Sequence, residues 1–245
     1  MGTLTVQEKE IVVPGQKLAE GMDYLPGMGA YREGDFIFAA KLGLVSIEGR
    51  TLKLIPVSGR YLPRRNDVII AKVTDVTMSC WRMDTNSAYS AMLGLRDATN
   101  EFVPKGADLT QLFNFDDYLV TKVINVTPQF LIDLSMKGPG LRKLPQGRII
   151  EVSSVKVPRI IGKMGSMVNM IKMATDCQIV VGQNGRIWLQ GKDPAKELLA
   201  YETIRKIEAE AHTSGLTDRI KTFLEDKTGM KIELREDNNQ EVVEE

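Results

Sequence analysis

Short apolar runs separated by turn-forming pairs fill the first 64 residues of the chain. Three such pairs punctuate this stretch: Pro26-Gly27, Glu33-Gly34 and Glu48-Gly49. Between them the apolar runs cover residues 36–40, 42–47 and 51–57. Runs of this length bounded by turn residues are typical of β-strands. The pattern predicts an all-β N-terminal unit over residues 1–64.

A second β-rich pattern follows over residues 65–137. Five segments rich in β-branched and aromatic residues are separated by turns: 67–77, a short segment around Trp81, 89–93, 117–126 and 130–135. Five strands with this spacing predict a small closed barrel of the oligonucleotide-binding type. Trp81 lies on the second strand, where an exposed ring could stack a base. The alternative, which the pattern leaves open, is that Trp81 fills the barrel core or contacts another subunit.

The pattern changes to mixed helix and strand after residue 146. We expect a strand over 147–157, a short apolar helical turn at Ile160 and Ile161, and a helix with Met167, Ile171 and Ala174 on its buried face. Strands at 178–181 and 186–190 flank a turn. Asp193-Pro194 then begins a helix that Gly215 can end, and residues 218–224 could form one more. Trp188, on a hairpin strand, is expected in the core.

The loop between the first two helices has the composition of a phosphate-binding turn. Gly162 and Gly165 lack a Cβ, so the backbone of the Gly162-Lys163-Met164-Gly165 turn can approach a ligand closely. Lys163 adds a positive charge, and the amides that open the following helix favour an anion. A tight turn without a ligand is the alternative explanation for a GxxG spacing alone.

The charge of this region supports the phosphate-binding interpretation. The whole chain has 32 basic and 32 acidic residues and therefore no net charge. Residues 142–192 contain nine basic residues against two acidic ones, a net of +7. Because the excess is regional, it indicates a basic surface around the turn.

The order strand, helix, GxxG, helix, two strands, helix resembles a KH domain, whose loop clamps nucleotide backbone. The barrel resembles an S1-type RNA-binding domain, although its third strand lacks the histidine usual in that family. A small β unit, an S1-type barrel, the Gly138-Pro139-Gly140 linker and a KH module together resemble the RNA-binding cap subunit of the archaeal exosome. The resemblance covers residues 12–212.

The resemblance implies a multidomain fold, with a β-rich unit and an S1-type (OB) barrel followed by an α+β KH domain. The expected boundaries are an N-terminal docking domain (1–64), the barrel (65–137), a linker (138–146), the KH domain (147–212), and a short helix with an acidic tail (213–245).

The same resemblance implies a non-catalytic, cytoplasmic subunit. Its expected partners are single-stranded RNA and a hexameric ring of RNase-PH-like subunits, on which it would form a trimeric cap alone or with a second cap protein. Predicted RNA-contacting residues lie in the KH turn, on the barrel and in the basic patch before it: Arg159, Ile160, Ile161, Gly162, Lys163, Met164, Gly165, Lys72, Trp81, Arg64 and Arg65.

Catalytic chemistry finds little support in the sequence. His212 is the only histidine and is expected near a helix end, as a surface residue rather than a base. We expect no metal site and no cofactor, because the acidic residues show no metal-ligand spacing. Cys80 and Cys177 lie in different modules, which suggests a reducing compartment. No apolar run is long enough to span a membrane, and we expect no signal peptide at residues 1–7.

Two further interpretations stay open at this point. The same modules could belong to a free-standing regulatory RNA-binding protein that has no nuclease partner. The chain could also be mainly a scaffold with degenerate RNA surfaces. Elution of the native complex on size exclusion would separate a cap subunit from a free regulator.

Overall fold

The computed structural model describes residues 2–229 except residues 102, 105, 212 and 214. The expectations for His212 and for the acidic tail beyond residue 229 lie outside these residues. The described residues form two compact units, one that ends at Arg60 and one that begins at Tyr61. Among the described residues, no helix has both the length and the apolar character needed to cross a bilayer.

The first unit consists of two four-stranded sheets. Its strands are β1 (Thr3–Leu4), β2 (Ile11–Val12), β3 (Lys17–Glu20), β4 (Leu25–Pro26), β5 (Ala30–Glu33), β6 (Phe36–Ala39), β7 (Gly43–Glu48) and β8 (Thr51–Pro56). One sheet has the order β1-β3-β6-β5 and the other the order β2-β7-β8-β4. Alternate residues such as Leu18, Ile37 and Leu54 point inward and form the core of this unit.

The second unit begins with a closed barrel of five strands. They are β9 (Val68–Val76), β10 (Cys80–Asp84), β11 (Ser90–Gly94), β12 (Tyr118–Val126) and β13 (Ile132–Ser135), with the short helix α1 (Leu95–Ala98) after β11. The antiparallel order is β11-β10-β9-β12-β13, and β13 closes the barrel by pairing in parallel with β11. The predicted strand pattern is confirmed.

The KH module follows a short strand, β14 (Arg142–Lys143), that pairs with β12. Its elements are β15 (Arg148–Glu151), α2 (Val157–Ile161), α3 (Ser166–Thr175), β16 (Gln178–Val181), β17 (Arg186–Gln190), α4 (Pro194–Glu210) and α5 (Leu216–Thr228). The sheet order is β15-β17-β16, and the helices pack on one of its faces around a core that includes Ile171, Ile187 and Ile204.

Three boundaries of the KH module differ from the sequence expectation. The strand expected over 147–157 is only Arg148–Glu151, because the chain then turns through a 3₁₀ segment at Ser154–Lys156 into α2. Helix α4 starts as predicted, with Asp193 accepting a hydrogen bond from the Ala195 amide, but it ends at Glu210. Gly215, at φ 66°, instead precedes α5, which is longer than the predicted 218–224.

The barrel and the KH module share a small apolar core. Ile70 and Val120 lie on the outer face of the barrel and pack with Leu144 and Trp188. Side chains alternate along a strand, so the neighbours Ile69 and Ala71 fill the barrel interior while Ile70 faces the KH sheet. The Trp188 indole N–H donates to the Pro145 carbonyl at 3.1 Å, as a buried Trp requires.

Candidate nucleic-acid interface

The Gly162–Gly165 turn projects from the KH module between α2 and α3. Gly162 has φ 75° and Gly165 has φ 82°, both in the left-handed region that glycine adopts without strain. A Cβ on Gly162 would lie 2.7 Å from the Met167 amide nitrogen, so this position also needs glycine for space. At the tip Lys163 is exposed, and Met164, at φ 51°, is 91 % exposed.

The two isoleucines before the turn do not both lie on the surface. Ile160 is completely buried in the KH core, and Ile161 is partly buried against it. The prediction that Ile160 contacts RNA is therefore wrong. The residue is buried because α2 has only five residues and depends on apolar packing to hold its end in place. Ile160 anchors the base of the turn.

A groove of about 600 Å³ lies beside the turn. One wall carries the exposed cations Arg159 and Lys163 with the Ser166 hydroxyl, and the other is formed by Thr217 and Asp218 at the start of α5. The position of α5 beside the turn was not predictable, because nothing in the spacing of its apolar residues identifies the helix against which it packs. The groove can admit a sugar–phosphate strand between the turn and α5.

The cations predicted on the barrel occupy separate positions. Lys72 on β9 makes an ion pair of 2.7 Å with Asp116, and the hydrogen bond to that carboxylate raises the pKa of Lys72. Arg64 and Arg65 are exposed in the loop before β9. Asp67 fixes this loop by accepting hydrogen bonds from the Arg64 amide and the Tyr61 hydroxyl.

Two family models match the chain. One is described as the exosome complex exonuclease RRP4 N-terminal region and covers residues 11–48. The other is a KH domain and covers residues 147–195. The second match contains the complete Gly162–Gly165 turn.

Curated relatives extend the similarity to most of the chain. The exosome complex component Rrp4 of Pyrococcus furiosus is 45 % identical over 227 residues, which is 91 % of this chain and 86 % of that protein. This chain belongs to the Rrp4 family. The Methanothermobacter thermautotrophicus member is 42 % identical over 232 residues, covering 95 % of this chain and 73 % of its own length.

A solved structure agrees with the Rrp4 assignment. A crystal structure described as an exosome complex RNA-binding protein superposes with a TM-score of 0.62 at 36 % identity. It covers 69 % of this chain and 97 % of its own. The predicted family and fold class are thus confirmed.

Trp81 in this Rrp4-family chain lies in the core of the barrel. Its exposed fraction is 0 %, its indole N–H donates to the Phe113 carbonyl at 3.0 Å, and its ring packs edge-on against the Phe113 ring. It alternates with Arg82 along β10, so its direction follows from strand geometry. The stacking role predicted for Trp81 is wrong, and the core alternative describes this residue.

A second turn with GxxG spacing, Gly182–Gly185, joins the KH module to the barrel. The sequence pattern predicts the turn but not this role. In the turn Gly182–Gly185 the buried Asn184 side chain donates to the carbonyls of Ile70 and Thr85, each at 2.8 Å, and accepts from the Ile70 amide at 3.3 Å. The one sequence signal for this contact is the polar Asn184 between Gly182 and Gly185. The turn therefore serves as an interface between modules.

Arg186 does not contribute to the basic surface. Its side chain is 5 % exposed and pairs with the carboxylates of Asp84 and Glu151. Its charge is thus balanced inside the barrel–KH contact, which lowers the positive excess that the sequence count assigned to the region. Within the described ranges, no group of three or more His, Cys, Asp or Glu side chains could hold a metal ion.

Proposed function

We propose that this chain is a non-catalytic subunit of the exosome that captures single-stranded RNA and delivers it to a 3′–5′ exoribonuclease ring. The observation that carries the proposal is the Gly162–Gly165 turn, which exposes Lys163 at the mouth of a groove next to Arg159. The Rrp4 relatives are exosome components by name, which supports the complex in which the subunit would act.

The turn suits backbone recognition better than base recognition. The glycines allow a phosphate to reach main-chain amides, and Lys163 and Arg159 neutralise its charge. Met164 at the tip has no amide or carboxylate with which to read a base edge. We therefore propose binding that depends on an unpaired strand but only weakly on its sequence. Gly162, Gly165 and Ile161 would shape the turn.

We propose a second contact zone on the barrel, formed by Lys72, Arg64 and Arg65. All three side chains are cationic and have access to solvent. Lys72 shares its charge with Asp116, so its contribution to phosphate binding should be smaller than that of the exposed Arg65. An RNA strand would run from the KH turn to this zone.

The N-terminal unit was expected over residues 1–64, but Tyr61 packs in the barrel core, so we propose that the docking unit ends at Arg60 and that its apolar surface serves for docking. In the β2-β7-β8-β4 sheet, Ile11 lies opposite Leu44, and Leu44 lies opposite Ile55. Ile11 is 64 % exposed and Ile55 is 53 % exposed, although both are large aliphatic residues. An exposed apolar stripe across neighbouring strands is typical of a protein interface. We propose that it binds the RNase-PH-like ring, on which three copies would form the cap.

A truncation tests the docking proposal. A chain that starts at Tyr61 keeps the complete barrel, because Tyr61 packs in the barrel core. We expect it to bind single-stranded RNA but not to co-elute with the ring on size exclusion. Co-elution equal to that of the full chain would place docking in the barrel or KH module, and failure of the full chain to join any ring would favour a free regulator.

The non-catalytic assignment has its own experiment. The purified full chain should leave a 3′-labelled and a 5′-labelled RNA intact in the presence of Mg²⁺, and the ring with the chain bound should degrade RNA faster than the ring alone. Degradation by the chain alone would overturn the assignment. The preparation must be tested beside the Gly165→Asp variant to exclude a contaminating nuclease.

A further inference from the structure

The turn between β12 and β13 places an aromatic residue at a position that normally takes glycine. The Phe130 amide donates to the Thr127 carbonyl at 2.9 Å, and the Thr127 amide donates to the Leu131 carbonyl at 3.0 Å. This is the pattern of a tight turn followed by one left-handed residue, where glycine or asparagine is preferred. Phe130 occupies the left-handed position, at φ 59°.

The Phe130 ring stacks on Tyr89. The ring centroids are 4.3 Å apart and the planes differ by 6°. Tyr89 also packs against the core of the barrel, so the pair is supported from inside. Phe130 remains only partly buried, and Leu131 beside it is 63 % exposed. A flat aromatic surface is thus available at the end of the barrel, whereas Trp81 is buried in the core and cannot stack a base.

The basic loop before β9 lies next to this pair. Tyr61 forms a β-bridge with Ser87. Ser87 in turn accepts a hydrogen bond from the Tyr89 amide and donates one to the Tyr89 carbonyl. The segment that carries Arg64 and Arg65 is therefore fixed within a few residues of the stacked rings. Cations beside a stacking surface are the combination with which single-stranded nucleic acid is bound.

We propose that Phe130, supported by Tyr89, is the base-stacking platform of the barrel and takes one unpaired base of single-stranded RNA. The inference rests on the proposed RNA-binding function. It assigns the stacking role to the β12–β13 turn instead of the second strand. Sequence preference should be weak, because every base offers a π face.

The geometry offers a variant that removes the ring without damage to the turn. Glycine adopts φ 59° freely, so the backbone strain relieved in Phe130→Gly should offset part of the stacking energy lost with the ring, and the turn should keep its conformation. We expect it to weaken binding of the full chain to a single-stranded oligoribonucleotide about tenfold, whereas Phe130→Tyr should bind like the unchanged chain. The matched control is Phe115→Ala, since Phe115 is 53 % exposed and precedes β12, at the opposite end of that strand.

Fluorescence of a base analogue can also detect a stacked base directly. With 2-aminopurine at successive positions of the oligoribonucleotide, we expect at least one position whose fluorescence is quenched by the unchanged chain and by Phe130→Tyr but not by Phe130→Gly. Unchanged affinity and quenching in Phe130→Gly would overturn the platform while leaving the KH proposal intact. If the unchanged chain binds no RNA, the proposed function fails, and the platform fails with it.

Discussion

Gly165 is the residue at which the phosphate-binding hypothesis can be tested with least damage to the fold. A Cβ at Gly162 would collide with Met167, whereas one at Gly165 would meet nothing closer than the Asn169 side-chain nitrogen at 3.7 Å. We expect Gly165→Asp to weaken single-stranded RNA binding about tenfold, because a carboxylate would face the phosphate. Filter binding at fixed salt measures the change.

Gly165→Asn is the matched control for this substitution. Asparagine has nearly the same size as aspartate and tolerates the same left-handed backbone, but it has no charge. We expect its affinity to fall much less than that of Gly165→Asp. Equal losses in both variants would show that the shape of the turn, and not the electrostatics of the phosphate, governs binding.

The β16–β17 turn is the element that fixes the KH module to the barrel. Asn184→Ala should lower the free energy of unfolding by about 2–4 kcal/mol, because the buried Ile70 amide and the Ile70 and Thr85 carbonyls lose their partner. Denaturant unfolding measures this. Gln183→Ala is the comparison. The exposed Gln183 side chain accepts one hydrogen bond, from the Val68 amide, so we expect a smaller loss of unfolding free energy. Equal losses would contradict the central role of Asn184.

The ion pair beside the same turn predicts a pH dependence. Burial acts to raise the pKa of Asp84, but the hydrogen bond from Arg186 and that from the Asn86 amide outweigh it, and the pKa lies below its ordinary value. A lowered pKa stabilises the folded state fully above the ordinary carboxyl pKa of about 3.9 and loses this contribution as the pH falls below it.

Asp84→Asn should therefore be less stable than the unchanged chain at pH 7, and the difference should close as the pH is lowered below about 4. Denaturation midpoints measured at several pH values test this. A stability difference that stays constant as the pH is lowered from 7 into the acid range would mean that the Arg186 contact does not depend on the charge of the Asp84 carboxylate.

The elements were predictable from the sequence where local pattern decides them. The barrel strands and the hairpin Gln178–Gln190 follow from β-branched runs with turn residues between them, and Asp193-Pro194 marks the start of α4. The contacts between elements were not predictable in this way. The sequence does not distinguish Arg186 from a surface cation, because its ion pairs with Asp84 and Glu151 form only in the folded chain. The orientation of Trp81 likewise depends on the strand register, which the sequence pattern does not determine.

At the scale of the whole molecule, binding through phosphates should be visible in its salt dependence. Each phosphate neutralised on a single strand contributes about −0.7 to the slope of log affinity against log salt concentration. Arg159, Lys163, Arg64 and Arg65 are all exposed, so we expect a slope clearly steeper than −1 for the full chain. Lys163→Ala should flatten the slope by about 0.7 and weaken every single-stranded sequence by a similar factor.

The control for this last prediction is Lys53→Ala. Lys53 lies on β8 of the N-terminal unit and pairs with Glu48, so its loss should change neither the slope nor the affinity. Duplex RNA of the same sequence should bind more weakly to the unchanged chain, because a KH loop requires an unstacked strand. An affinity independent of salt, or a Lys163→Ala loss confined to one sequence, would mean that bases hold the ligand. The Phe130 platform would then carry the main interaction and the Gly162–Gly165 turn a minor one.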